Sequence, residues 1–177
     1  YELADGDWSS DVCSSDLPRA GWATLSVQMP LPAPDAGQAD SLIREALPRI
    51  DAAVTELEKR GDTPVVLVGH GLGAAMAADY LRAHGGRVDG FIGLSMGVPG
   101  PEQAEPAPHA ALAASGVPAL CLYGSEAPRF VLDAMERLDG SGVTHQEVVG
   151  ADHGFTLMTD SLAQRVRGWL HQRFVED

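Results

Sequence analysis

Two hydrophobic patterns alternate along the chain from about residue 20 to its end. Short runs of mostly apolar residues predict strands, and the continuous run at residues 65–68 predicts a strand buried on both faces of a parallel sheet. Between the runs, apolar residues recur at helical spacing, as in residues 40–60, where they lie four or three positions apart. Strands that alternate with helices predict an α/β fold with a mostly parallel sheet flanked by helices.

Turn-forming residues set the boundaries of these elements. Pro48 lies inside the first helix and predicts a kink or a break, whereas Gly85 and Gly86 are expected to end the second helix. Residues 97–108 contain four prolines, which predicts a loop. The predicted strands are 21–27, 65–68, 91–96, 119–123 and 144–149, and the predicted helices are 40–60, 72–83, 109–115, 129–138 and 161–174.

The composition narrows the classes of function. The chain has 177 residues, of which 45% are hydrophobic, and this supports a single domain with a sizeable core. Its 25 acidic and 12 basic residues give a net charge of −13, which argues against a nucleic-acid partner. No apolar run approaches the roughly 18 residues that a membrane span needs. Cys13 and Cys121 leave little scope for disulfides. Four of the six histidines show no ligand-like grouping, and neither a metal site nor a cofactor is predicted; the four are His84, His109, His145 and His171.

The first 17 residues differ from the rest of the chain. They are polar, follow neither hydrophobic period and lack the pattern of a signal peptide. Residues 7–17 resemble the translation of a common sequencing-library adapter. We therefore expect residues 1–17 to be an artefact and disordered, and residues 18–177 to form the domain. Five acids and no base lie in the first segment, so the remaining 160 residues carry a net charge of −8.

The most informative segment spans residues 65–75, where a predicted strand is followed by a glycine-rich turn and a helix of small residues. This layout is typical of a nucleophile elbow, G-x-S-x-G. Here Gly69-His70-Gly71-Leu72-Gly73 resembles the G-H-S-x-G form of lipases and esterases in the α/β-hydrolase superfamily, with glycine at the nucleophile position. A dinucleotide-binding G-x-G-x-x-G fails, because Ala74 stands where the third glycine belongs.

Two later loops resemble the other parts of the α/β-hydrolase triad. The loop at 149–155 resembles the catalytic-histidine loop, which makes His153 the general base. The loop at 123–128 resembles the loop of the triad acid, but Ala127 stands where aspartate is usual. Glu126 lies one residue earlier and could orient His153 only if the loop adjusts. With Gly71 at the nucleophile position, acyl-enzyme chemistry there is excluded.

The resemblance also implies a partial domain. The backbone N–H of Leu72 would form half of the oxyanion hole, and a loop after the family's third strand would form the other half. Strands one to three would precede residue 18, which leaves a truncated α/β-hydrolase fold with strands four to eight, residues 21–27 being strand four. That segment is then expected either to pair directly with 64–69 or to be poorly held. Residues 165–170, with the elbow, resemble an uncharacterised bacterial α/β-hydrolase-like family.

Three residues have alternative interpretations. Gly93-Leu94-Ser95-Met96-Gly97 also matches G-x-S-x-G, but the prolines that follow cannot form the helix of an elbow. Ser95 is thus either a substitute nucleophile near the site or a serine bonded to backbone at a strand end. His70 either contacts a ligand or supports the elbow. His153 also has the alternative of a loop histidine bonded to backbone.

Two function classes remain open. The first is a non-catalytic protein with a degenerate triad, which binds a small acyl-bearing or apolar ligand or a protein partner. The second is a serine-type ester or amide hydrolase, in which His153 acts with Ser95 or with a residue outside the present chain. Geometry separates them, since a hydrogen bond between Ser95 and His153 favours the enzyme, and Gly71 facing His153 favours the non-catalytic protein. The compartment is not predicted.

Overall fold

A computed structural model describes residues 16–30, 39–98 and 107–175. Within these ranges a parallel sheet alternates with helices along the chain, as the hydrophobic pattern predicts. The helices are α1 (Leu17–Arg19), α2 (Ala39–Arg60), α3 (Gly71–His84), α4 (Pro108–Ser115), α5 (Arg129–Glu136) and α6 (Thr159–Phe174). The strands are β1 (Val66–His70), β2 (Gly90–Leu94), β3 (Ala119–Gly124) and β4 (Thr144–Val148).

The four described strands form one sheet in the order β1-β2-β3-β4, and every neighbouring pair is parallel. His70 lies opposite Leu94, and Leu94 lies opposite Leu122. The carboxyl ends of the strands therefore meet at one edge of the sheet, the edge at which ligands bind in open α/β sheets. The segments that follow the strands at this edge include Gly71, Ser95 and His153.

Apolar side chains bury both faces of the sheet. On one face, Phe91 and Cys121 pack with the buried residues of α2 and α3. On the other face, Ile92 and Leu120 pack with the buried residues of α6. Consecutive strand residues therefore point into opposite cores, which is why these strands read as continuous apolar runs.

Strand β1 differs from the prediction of a fully buried strand. All five of its residues are only partly buried, whereas β2 is buried throughout. In the described ranges, β1 pairs with β2 alone and forms the edge of the sheet. Its apolar sequence therefore reflects contact with helices on both faces rather than a central place in the sheet.

The predicted strand at residues 21–27 is wrong. Residues 22–30 are described and adopt no regular structure. Trp22 packs against the α6 side of the sheet, Met29 packs against the α2 side, and Arg49 donates a hydrogen bond of 2.9 Å to the backbone oxygen of Gln28. No described strand pairs with this segment in a ladder, so β propensity alone does not form a strand.

Helix α2 runs without interruption through Pro48, so of the two predicted outcomes, a kink or a break, the break is wrong. Burial of one helix face explains this, because Ile43, Ala46, Ile50 and Val54 are all buried in the core. These contacts outweigh the loss of one backbone hydrogen bond at proline.

The other predicted boundaries can be compared with the structure only in part. Leu17 begins α1 and is buried, so the predicted disorder does not extend to that residue. Residues 1–15, and most of the predicted loop at 97–108, lie outside the described residues.

Candidate functional site

The elbow between β1 and α3 has the predicted strand–turn–helix form. Gly71, the first residue of α3, has φ = +53°, a backbone conformation that glycine adopts far more readily than other residues. A Cβ at Gly69 would lie 2.6 Å from the Cα of Ala74, so Gly69 lets the strand and the helix approach closely. A Cβ at Gly73 would meet no described atom within 4 Å. Close approach therefore requires only the first of the two outer glycines.

This difference between the outer glycines gives a matched test. Gly69→Ala is expected to lower the free energy of unfolding by at least about 2 kcal/mol, because the added methyl overlaps backbone that cannot move independently. Gly73→Ala adds the same methyl without a contact, inside a helix, and is expected to change stability by no more than about 1 kcal/mol, in the stabilising direction. Denaturant unfolding of both variants measures the difference. Equal stabilities would contradict the close packing at Gly69.

The histidine loop is fastened to the end of β3. A Cβ at Gly124 would lie 2.1 Å from the backbone oxygen of Ala151, so glycine is required where the loop crosses the strand end. Three hydrogen bonds join the two loops: Glu126 N–H to the Ala151 oxygen at 2.9 Å, Ser125 N–H to the Val148 oxygen at 3.1 Å, and Gly150 N–H to the Ser125 hydroxyl at 2.8 Å. The loop following β4 is thereby held at the carboxyl edge of the sheet.

This arrangement places His153 over Gly71. A Cβ at Gly71 would lie 3.3 Å from Nε2 of His153 and 3.7 Å from its Cε1. The side chain that would carry a nucleophile at this position would thus point at the imidazole. The structure brings together the nucleophile position and the histidine that the sequence analysis singled out.

His70 contacts both the backbone and the ring of His153. Its Nε2 lies 2.9 Å from the backbone oxygen of His153, and the two ring centroids are 4.9 Å apart. The described contact is therefore one that holds the histidine loop against the elbow. Phe130 of α5 lies on another side of His153, with 6.1 Å between ring centroids.

The surroundings of His153 favour its neutral imidazole near pH 7. Burial lowers the pKa of its imidazole below the ordinary value, the neighbouring His70 lowers it further, and Asp152 opposes both effects. Asp152 in turn accepts a hydrogen bond of 2.9 Å from the backbone N–H of Thr156, and bonds to Thr156 hold the pKa of this carboxyl below its usual range. Asp152 thus stabilises the turn of the histidine loop.

The position that the resemblance assigns to the triad acid holds Ala127 and therefore no carboxylate. Ala127 is buried, and Glu126, the nearby acid in the sequence, has an exposed side chain. Nδ1 of His153 is enclosed and has no hydrogen-bond partner among the described residues. Glu126 therefore does not orient His153, because its loop is held by backbone bonds in a position that leaves the carboxylate outside.

Ser95 follows β2 and does not bond to His153. It is fully buried, and its N–H donates to the Leu122 oxygen at 2.8 Å. Its Oγ has no hydrogen-bond partner within the described ranges. Its φ of +47° is rare for a residue other than glycine, and no sequence pattern predicted this conformation. Of the two interpretations of Ser95, the structure agrees with a serine bonded to backbone at a strand end. The bond is made by its N–H, and its hydroxyl has no partner among the described residues.

Other features of the described surface do not include Gly71 or His153. Two cavities of about 440 and 330 Å³ are lined by residues around Val149 and Leu157 and around Glu58 and Arg87, respectively, and neither includes Gly71 or His153. Within the described ranges no three metal-ligating side chains are grouped. None of the helices searched there is both long enough and apolar enough to cross a membrane.

Comparisons with known proteins bear on the fold. No protein-family model matches the chain. No curated protein matches it. Among solved structures, a dienelactone hydrolase from Anabaena variabilis matches with a TM-score of 0.74 and 15% identity, over 96% of this chain and 80% of that one. An esterase domain from Rhodothermus marinus matches with a TM-score of 0.71 and 13% identity, over 96% and 81%.

A third structure, an alpha-beta serine hydrolase homologue from Coxiella burnetii, matches with a TM-score of 0.71 and 17% identity, over 93% of this chain and 76% of that one. At these identities the likeness speaks for the fold alone. The parallel sheet, the elbow between β1 and α3 and the histidine loop after β4 agree with it. The chain therefore has the α/β-hydrolase fold.

Proposed function

We propose that this protein is a non-catalytic member of its fold class that binds a small acyl-bearing ligand at the elbow. The observation that carries the proposal is the relation between Gly71 and His153. The position where a nucleophile would stand faces Nε2 of His153 at 3.3 Å, and this position has no side chain. The ligand contacts are those available around it, namely the first turn of α3, the imidazole and the Phe130 ring.

The state of His153 supports the same proposal. A general base of a Ser–His pair needs its second nitrogen held by an acid, which fixes the tautomer. In the described part of the chain, Nδ1 of His153 lacks any such partner. With neither a nucleophile nor an orienting acid at His153 among the described residues, the remaining elements of the site favour binding over turnover.

The test is hydrolysis of p-nitrophenyl acetate and butyrate by the unmodified protein. We expect a rate no higher than that of His153→Ala, and a rate for His171→Ala, an exposed histidine on α6, equal to both. The His171 variant controls for the slow reaction of any surface imidazole with activated esters. An unmodified rate more than about tenfold above that of His153→Ala would reject the proposal. If Ser95→Ala removes such a rate, the rate belongs to the alternative function, a serine-type hydrolase in which Ser95 acts with His153.

A further inference from the structure

The last strand of the sheet, β4, has one open edge among the described residues. It pairs with β3, and no described strand pairs with its other side. The side chains of its first four residues, 144–147, are exposed or only partly buried. The strand contains neither proline nor lysine, which commonly keep an edge strand from pairing with another chain. Strand β4 is therefore able to accept a further strand.

Alternate residues of β4 point their backbone groups toward this open edge. The oxygen of Val148 accepts a hydrogen bond of 3.1 Å from the N–H of Ser125, which follows β3, so the backbone groups of Val148 point toward β3. Because this direction alternates along a strand, the backbone groups of Gln146 also point toward β3, whereas those of His145 and Glu147 point outward. Their N–H and C=O groups are available to an added strand.

The sequence of β4 is complementary to itself in one antiparallel register. When two copies pair, residues whose backbone groups point outward have to lie opposite one another to exchange hydrogen bonds. Pairing centred on Gln146 meets this condition, and it places His145 of each copy opposite Glu147 of the other. An imidazole that can donate a hydrogen bond and a carboxylate directly opposite it form a favourable cross-strand pair.

The neighbouring registers lack this match. A centre at Glu147 places two carboxylates opposite each other, and like charges in that position destabilise a pair of strands. A centre at His145 places two histidines opposite each other and removes the contact with Glu147. A centre between two residues places outward backbone groups opposite inward ones. Only the register centred on Gln146 satisfies both the backbone and the side chains.

Two exposed apolar side chains lie near the carboxyl end of the same strand. Val149 is 79% exposed and Leu157 is 99% exposed, and both line the cavity of about 440 Å³ that borders β4. Leu157 has φ = +61°, which is rare for a residue other than glycine. In the register centred on Gln146, Val149 lies opposite the half-buried Val143 of the second copy. Removing this apolar surface from water favours association.

We infer that two copies of this chain form a twofold dimer through antiparallel pairing of their β4 strands, centred on Gln146. The pairing joins the two described four-stranded sheets and uses the same edge of both copies, so the assembly closes at two. His145, whose Nε2 lies 3.0 Å from Asp139 of its own chain, then stands between that carboxylate and Glu147 of the second copy. The elbow takes no part in this contact, so the inference is independent of the proposed function.

The first test is the oligomeric state of the full chain, measured by sedimentation equilibrium from about 1 µM to about 1 mM. Salt at about 0.15 M limits the repulsion between two chains that each carry a net charge of −13. We expect a reversible equilibrium between monomer and dimer, without larger species.

Amide hydrogen exchange shows which surface forms the dimer. The amides of His145 and Glu147 are expected to exchange rapidly in the monomer and to become protected as the concentration rises. The amide of Gln146 points toward β3 and is expected to be protected at every concentration. It serves as the internal reference for the two outward amides.

Charge variants test the register. Glu147→Arg places arginine opposite His145 at two points of the dimer and is expected to weaken dimerisation by at least about tenfold. Adding His145→Glu to Glu147→Arg exchanges the two charges and is expected to restore the dissociation constant to within about threefold of the unmodified value. Glu45→Arg makes the same change in charge at an exposed position on α2 and is expected to leave dimerisation within about threefold.

Four results overturn the inference. The first is a monomer at all concentrations up to about 1 mM. The second is a dimer that leaves the exchange of His145 and Glu147 unchanged, since another surface then forms it; protection of both amides at every concentration means that another segment of the chain covers the edge. The third is an equal effect of Glu147→Arg and Glu45→Arg. The fourth is a double variant that folds, as its unfolding curve shows, but does not recover dimerisation.

Discussion

Gly71→Ser is expected to turn this protein into a slow esterase, with kcat/KM for p-nitrophenyl butyrate rising by roughly 10- to 100-fold over the unmodified chain. A Cβ at this position would lie 3.3 Å from Nε2 of His153, so a serine hydroxyl there would come within reach of the imidazole. The first-turn N–H groups of α3 are placed to stabilise negative charge that develops beside it. The gain stays small because no described group binds Nδ1 of His153 to fix its tautomer.

The substitution also has a cost in stability. A residue other than glycine at φ = +53° costs about 1–2 kcal/mol. The contact of 3.3 Å is tight, so the His153 ring must shift by a few tenths of an ångström to accommodate the new Cβ. Folding of the variant is therefore checked by its unfolding curve before its rate is interpreted.

Gly71→Ala is the matched control for the serine variant. It carries the same Cβ and the same backbone strain but no hydroxyl, and it is expected to stay at the unmodified rate. His153→Ala in the Gly71→Ser background is expected to remove the gain. If Gly71→Ser and Gly71→Ala have equal rates while both fold, the elbow does not present its first residue to His153 in the way the structure describes.

Adding Ala127→Asp to Gly71→Ser is expected to raise kcat by a further 10²- to 10⁴-fold or so, the range that triad acids contribute in serine hydrolases. The loop of Ala127 is bound to the histidine loop through Glu126 N–H and the Ala151 oxygen at 2.9 Å. Ala127 itself is buried, so a carboxylate there is ionised at low cost only if it accepts the Nδ1–H of His153.

The pKa of His153 provides a readout that does not depend on turnover. Burial and His70 lower it in the unmodified protein, and a carboxylate at Nδ1 is expected to raise it. Ala127→Asn has nearly the same shape without the charge and is expected to leave the pKa low and the rate unchanged. If the double variant with Ala127→Asp is no more active than the one with Ala127→Asn, and its His153 titration is unshifted, the acid position lies elsewhere.

Local patterns predicted most of the described fold. The strands β2, β3 and β4 and the helices α3 to α6 lie within a few residues of their predicted bounds, because each buries a face whose period is written in the sequence. The predictions that failed are those whose outcome depends on neighbouring elements of the fold. Residues 22–30 have strand-like composition but pair with no described strand, and α2 keeps its helix through Pro48 because its buried face packs in the core.

The candidate site shows the same difference between what local patterns predict and what the surrounding structure decides. The G-x-S-x-G pattern predicts that Gly71 stands at the nucleophile position, and the resemblance of the later loops predicts the roles of His153 and Ala127. No pattern revealed the positive φ of Ser95 or its buried, unpartnered hydroxyl. Nor could the sequence show that Glu126 stays exposed, since backbone hydrogen bonds between two loops hold it there.

The sequence by itself determined which chemical groups this protein has: no side chain at Gly71, no acid at Ala127, and a histidine in the loop after β4. Only the tertiary structure decided how they meet. His70 and His153 are 83 positions apart, and their contact exists because parallel pairing of the strands brings every carboxyl end to one edge. Residue types are local properties of a chain, whereas the distance between two loops depends on the packing of everything between them.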